Sequence, residues 1–132
     1  MVKVIDASAL IKYVNRESGW ERVQEYLLAG CITVDIALKE LANALWKRVM
    51  RKELTEKQAI EIMDFVLKKK LVKLFPQEPL LIDALKFSIG AALPVYDALY
   101  IMLAKSLKTE LITSDKKQAE KAEEVGINST FV

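Results

Sequence analysis

Short apolar runs of strand length alternate with longer stretches of helical periodicity along this chain, and that alternation leaves few folds open. The runs fall at residues 2–5, 31–34, 71–75 and 111–113, with a weaker one at 129–132. Helical patterns fill the intervals, at about 8–14, 20–29, 36–52, 55–70, 78–90, 96–107 and 116–125. Strands apolar on consecutive residues are buried on both faces, and strands separated by helices pair in parallel through crossovers. The expected fold class is therefore α/β, a three-layer α/β/α sandwich around a central parallel sheet of four or five strands.

Local signals mark several helix ends. Thr55 with Gln58 three residues later forms a capping-box pattern at the start of the 55–70 helix. Gly30, Gly90 and Gly126 stand where helices are expected to stop, and Pro76, Pro79 and Pro94 in connections or first turns. No repeat, linker or low-complexity tract interrupts the pattern. A chain of 132 residues with 52% apolar and 29% charged residues suits a single domain over 1–132. Its apolar stretches fall short of a membrane span, and Val2-Lys3-Val4-Ile5-Asp6 reads as a buried strand rather than an export signal, so a cytoplasmic location is expected.

Absences narrow the chemistry. With no histidine, Ser-His-Asp and Cys-His catalysis, imidazole acid–base work and the usual zinc sites are excluded. The single Cys31 cannot form an intramolecular disulfide and reads as a small buried hydrophobe in a reducing cytosol. Four glycines, without GxGxxG or GxxxxGK[ST], argue against a phosphate-cradling loop. Hydrolysis by this chain must run on carboxylates, lysines or metal-activated water. A net charge of +2 says little about nucleic acid by itself; neutralising four of the 18 acidic residues with metal would raise it to +6, a balance suited to an anionic polymer.

Ligand sites in open parallel sheets lie outside the carboxyl ends of the strands, where four acids are expected. Asp6 leaves the first strand directly. Ser8, two residues on, is the natural N-cap of the next helix, so Asp6 is not needed there, and a carboxylate leaving a buried strand must meet a cation or hydrogen-bond donors. Asp97 opens the helix through Ala98, Leu99, Tyr100, Ile101, Met102, Leu103 and Ala104, which is apolar on nearly every side and offers no basic partner one turn on. Asp115 follows Leu111-Ile112-Thr113-Ser114, and Gln118 three residues later gives it the look of a capping box. Glu40 lies one turn inside the 36–52 helix, beside the apolar stripe Leu38, Leu41, Leu45 and Val49, with Asn43, Lys47 and Arg51 along its own face.

Each acid has a plainer reading alone: a loop carboxylate bonded to backbone for Asp6, an N-cap for Asp97 and Asp115, a solvated polar face for Glu40. As a set, two acids leave strand ends and two begin helices at the same edge. Carboxylates so close raise one another's pKa unless cations bind, and oxygen-only ligation selects Mg²⁺ or Mn²⁺ over zinc.

Asp6-Ala7-Ser8, Glu40-Leu41-Ala42-Asn43-Ala44-Leu45, Tyr96-Asp97-Ala98-Leu99-Tyr100 and Thr113-Ser114-Asp115 resemble, in order, the four acidic motifs of PIN-domain ribonucleases. The resemblance covers essentially the whole chain and is nearest to VapC-type toxins of prokaryotic toxin–antitoxin pairs; Tyr-Asp-Ala-Leu-Tyr is its most specific piece. It implies a parallel α/β/α sandwich in which Asp6, Asp97 and Asp115 ligate metal and Glu40 ligates or orients the attacking water. Ser8, Asn43, Thr113 and Ser114 would orient the ligands or the phosphate. Some members carry a further acid after the fourth motif, where this chain has Lys116, Lys117 and Gln118, which leaves the number of ions open. A homodimer is also implied.

The expected reaction is hydrolysis of RNA phosphodiesters by metal-activated water. Lys12, Arg16, Lys47, Arg51 and Lys116 are candidates for phosphate contacts, each equally readable as ordinary surface charge. Tyr13, Tyr96 and Tyr100 suit base stacking or, more simply, the core. Lys68-Lys69-Lys70 complements a helix carboxyl terminus. An aspartyl-phosphate phosphatase would want an aspartate where Ser8 stands, and a receiver domain one after the middle strand, where Phe75-Pro76-Gln77-Glu78 has none. A housekeeping RNA-processing nuclease and a non-catalytic binding module are the remaining alternatives. The expected partner of a toxin is a small antitoxin protein from an adjoining gene. It would close the acidic cleft with an arginine or lysine and dock around Trp20 and Trp46.

Overall fold

The chain folds around its first strand. In a computed structural model describing residues 2–132, β1 (Lys3–Ile5) lies at the centre of a five-stranded, all-parallel sheet of order β3-β2-β1-β4-β5. Its neighbours are β2 (Cys31–Val34) and β4 (Leu111–Thr113), with β3 (Lys73–Phe75) and β5 (Ser129–Phe131) at the edges. Val4 is in register with Ile32 on one side and Leu111 on the other, and Ile5 with Ile112. Burial follows position: Val4, Ile5, Leu111 and Ile112 are fully buried, whereas edge residues Lys73, Leu74 and Phe131 are exposed.

The helices follow the same logic. The chain steps from β1 to β2 through α1 (Ala7–Val14) and α2 (Trp20–Ala29), then to β3 through α3 (Ile36–Met50) and α4 (Glu56–Lys69). It returns across the sheet to β4 through a 3₁₀ turn (Glu78–Leu80), α5 (Leu81–Ala91) and α6 (Val95–Leu107), and reaches β5 through α7 (Lys116–Glu124). Right-handed crossovers put helices of opposite stepping directions on opposite faces, which gives the three layers. Helix α6 packs on β1, β2 and β4, and every residue from Ala98 to Ala104 is buried, as its all-round apolar sequence requires. Among the described residues no single helix is long and apolar enough to cross a membrane.

Most helix ends match their local chemistry. Gln58 N–H donates to Thr55 Oγ1 (3.1 Å) and Thr55 N–H to Gln58 Oε1 (2.9 Å), completing the capping box. Gly30 closes α2 with φ of 105°. Gly90 does not end its helix: α5 runs through it to Ala91, and Ala92 takes the left-handed closing conformation at φ 53°. The 36–52 pattern ends at Met50, because Lys52 turns left-handed at φ 61°. The sheet order reverses beside β1, and the carboxyl ends of β1 and β4 at such a reversal are the place where sheets of this kind bind ligands.

Candidate active site

Asp6 is the first residue past β1 and is 1% exposed. Its Oδ1 accepts from Ala9 N–H (3.0 Å) and from the Ser8 hydroxyl (2.7 Å), and its Oδ2 from the Thr113 hydroxyl. Asp6 is thus the N-cap of α1, which corrects the expectation that Ser8 caps this helix. The helix begins at Ala7, so Ser8 falls inside the first turn and braces the carboxylate instead. Ser8 Oγ also accepts from Ser114 N–H (2.9 Å), and Thr113 Oγ1 from Asp115 N–H (3.0 Å). The two central strand ends are therefore stitched together through Asp6. Burial pushes its carboxyl up to about 6, with Asp115 adding to the rise and the Thr113, Ser8 and Ala9 donors opposing it.

Asp97 stands in the first turn of α6, whose N-cap is Pro94, so it does not cap the helix as its plainer reading required. Among the described residues its carboxylate has neither hydrogen bond nor ion pair. Burial holds its pKa above the ordinary range and Asp115 raises it further, while Lys117 offsets part of the rise. Glu40 comes from α3, and Tyr100 of α6 donates its hydroxyl to Glu40 Oε1 at 2.7 Å. Burial raises the Glu40 carboxyl, Tyr100 opposes the rise and Asp97 adds to it. Asp115 caps α7 by accepting from Gln118 N–H at 3.2 Å. Only half of that capping box forms: the buried Gln118 amide reaches the Asp97 carbonyl (3.1 Å) and ties α7 to α6.

The four acids therefore form an electrostatic series, with Asp115 acting on Asp6 and Asp97, and Asp97 on Glu40. Among the described residues no three acidic side chains stand close enough together to hold a metal ion. The donor chemistry nonetheless fits a hard divalent ion, because all the donors are carboxylate oxygens and their mutual repulsion calls for a cation.

The other residues singled out from sequence separate clearly. Asn43, Lys47, Arg51 and Lys116 are exposed. Lys12 donates to the Val132 carbonyl (3.2 Å), which also accepts from Ser114 Oγ (3.2 Å), so its ammonium is engaged within the fold. Arg16 lies over the rings of Tyr13 (4.6 Å) and Trp20 (4.3 Å) and donates to the Tyr13 carbonyl. Tyr13 and Tyr100 are core residues, while Tyr96 is 60% exposed. Trp20 is partly buried under Arg16, and Trp46 is 56% exposed. Cys31 is buried, with its thiol pushed up to about 11 by burial. Sequence reasoning missed Tyr100 as the partner of Glu40, Lys117 as the cation near Asp97, and the Gln118 tether. All three depend on contacts between distant segments that local periodicity does not report.

An acidic centre at the switch point of an all-parallel α/β/α sheet defines a carboxylate-based site. The chain belongs to the PIN-domain family, whose model matches residues 3–124. Ribonuclease VapC3 of Pyrobaculum aerophilum is 34% identical over 127 residues, which cover 92% of this chain and 95% of that relative. A solved protein of the same organism is similar at TM-score 0.75 and 25% identity, over 98% of this chain and 83% of its own. VapBC2 of Rickettsia felis, solved with a DNA fragment from its promoter, shares the fold at TM-score 0.70 and 13% identity, over 100% of this chain and 99% of its own.

Proposed function

We propose that this protein is a Mg²⁺- or Mn²⁺-dependent endoribonuclease acting as the toxin of a VapBC-type pair. The observation that carries the reading is the mutually repelling series Glu40, Asp97, Asp115 and Asp6 near the carboxyl ends of β1 and β4. The ribonuclease name of the Pyrobaculum relative supports RNA as the polymer. When bound, a divalent ion supplies acidified water and charge for the leaving oxygen.

The chain's own residues then have distinct tasks. Asp6, immobilised by three donors, fixes the position of the centre. Asp97 and the second oxygen of Asp115 complete the ligand set. Glu40, one oxygen held by Tyr100, keeps the other for the attacking water, and its raised pKa makes it a better proton acceptor.

The test is incubation of a mixed RNA pool with Mg²⁺, Mn²⁺ or chelator, followed by mapping of product ends. Water attack leaves 5′-phosphate and 3′-hydroxyl ends; 2′,3′-cyclic phosphates sink it.

An antitoxin protein and a homodimer in the cytoplasm belong to the same reading. A row of exposed apolar residues on α5, Ile82, Leu85 and Ile89, at spacings of one helical face, supports burial by another chain. Co-purification from the native operon, followed by a nuclease assay with and without the bound protein, tests the partner. Isolation of the chain alone would favour a housekeeping RNA-processing role.

A further inference from the structure

Gln118 is buried, and a buried amide must find a hydrogen-bond partner. Its position at the start of α7 suits it to close the capping box by accepting from Asp115 N–H, but the Thr113 hydroxyl already takes that donor (3.0 Å). The side chain is thereby free of any duty in its own helix, and its amide crosses to the Asp97 carbonyl at 3.1 Å. That carbonyl does not need the bond, because a regular helix supplies it with the N–H of Ile101. What the bond adds is a link between two helix starts.

Both of those starts carry an acid of the centre. Asp97 stands in the first turn of α6, and Asp115 caps α7 by accepting from the Gln118 N–H at 3.2 Å. Gln118 is therefore bonded to one acid through its backbone and to the residue of the other through its side chain. Helix α7 packs on β4 and β5, and among the described residues no other hydrogen bond or ion pair joins it to α6. Charge works against the link, since Asp115 raises the carboxyl pKa of Asp97. An ion must also draw its ligands in, because no three acids among the described residues stand close enough to hold one. Ligands already tethered lose less freedom when they close, so the tether favours binding.

We infer that Gln118 is a positioning residue for the divalent ion: its amide holds the start of α6 to the start of α7, so that Asp97 and Asp115 close on the same ion. This rests on the metal-dependent reading and names the residue that organises two of its ligands.

The experiment titrates Mn²⁺ into the full chain by calorimetry, without RNA. Gln118→Met keeps an unbranched side chain and removes the donor. It is expected to weaken Mn²⁺ binding about 10- to 100-fold, the usual cost of losing a group that orients a metal ligand. Thr55→Ala, which opens the capping box of α4 outside the acidic series, is the control for general destabilisation. Its melting temperature should fall while its Mn²⁺ affinity stays that of the parent. A second readout needs no substitution. By linkage the ion strengthens the tether by the factor with which the tether strengthens ion binding, so Mg²⁺ should slow solvent exchange of the Gln118 side-chain amide, followed by NMR in the parent chain. Mn²⁺ bound as tightly by Gln118→Met as by the parent, an equal loss in Thr55→Ala, or amide exchange indifferent to Mg²⁺ overturns the inference. A parent chain that binds Mn²⁺ with the expected loss in Gln118→Met, yet never cuts RNA, would overturn the ribonuclease reading alone.

Discussion

The two walls of the acidic site are built on different principles. The strand wall, from β1 and β4, holds Asp6 in a closed set of bonds from Ser8, Ala9 and Thr113, with Ser114 and Asp115 drawn into the same network. The helix wall, from α3 and α6, holds Glu40 by one hydroxyl and leaves the Asp97 carboxylate without a hydrogen bond among the described residues. A buried carboxylate with three donors is a structural element as much as a functional one, while one with none contributes little to the fold. Stability and activity should therefore be coupled on the first wall and separable on the second.

The largest expected effect tests that separation. Asp97→Asn should lower RNA cleavage by more than about a hundredfold, beyond the usual cost of losing a residue that merely supports a metal ligand. Its melting temperature should stay at or above that of the parent, since a repelled carboxylate is removed. Near-parental cleavage by a folded, Mn²⁺-saturated variant would show that Asp97 is not part of the centre. Saturating Mn²⁺ comes next: relief of repulsion should add about 2.7 kcal/mol at a hundredfold excess over Kd. That gain, read by thermal melts, should shrink sharply in Asp6→Asn/Asp97→Asn, and an equal gain in both proteins would place the ion elsewhere.

Removing one hydroxyl from each wall compares them directly. Thr113→Val should cost about 1–3 kcal/mol of stability, because the buried Asp6 loses a donor, together with roughly 10- to 100-fold in cleavage. Tyr100→Phe should affect cleavage similarly with a smaller loss of stability, Glu40 being only partly buried. Denaturant melts that ranked the two the other way would break the comparison.

The smallest effect is in pH. Asp6, Glu40 and Asp97 all have raised carboxyl pKa values, Asp6 to about 6 from 3.8. Between about pH 4 and pH 6 the folded, metal-free protein keeps protons that the unfolded chain has released. Its stability should therefore fall as pH rises through that window and level off above it. Mn²⁺ should flatten the slope; a metal-free melting temperature that climbs from pH 4 to 6 would contradict the repulsion.

The architecture was legible because burial dictates periodicity. A central strand such as Val4-Ile5 and an all-round apolar helix such as α6 have few other places to go. All four acids were also legible, since each stands directly beside a strand end or early in a helix. Their partners were not. Ser8 looked like the cap because serine is a favoured N-cap, and a one-residue shift of the helix start handed that role to Asp6. Asp6 is the cap that sequence reasoning had held it was not needed to be. The fates of Lys12 and Arg16 were equally hidden: a β5 carbonyl neighbour and a pair of rings claimed charges that pattern alone left free. Exposure of Tyr96 and burial of Tyr13 could not be separated without the tertiary packing.

The bond from Thr113 to Asp6 spans 107 residues of sequence. Closing so long a loop is slow in entropic terms, and every shorter-range pairing, β1 with β2 included, can form before it. During synthesis Asp6 emerges early but has no strand wall to join until β4 has left the ribosome and docked against β1. The bond set around Asp6 is thus complete only once translation has passed the fourth strand.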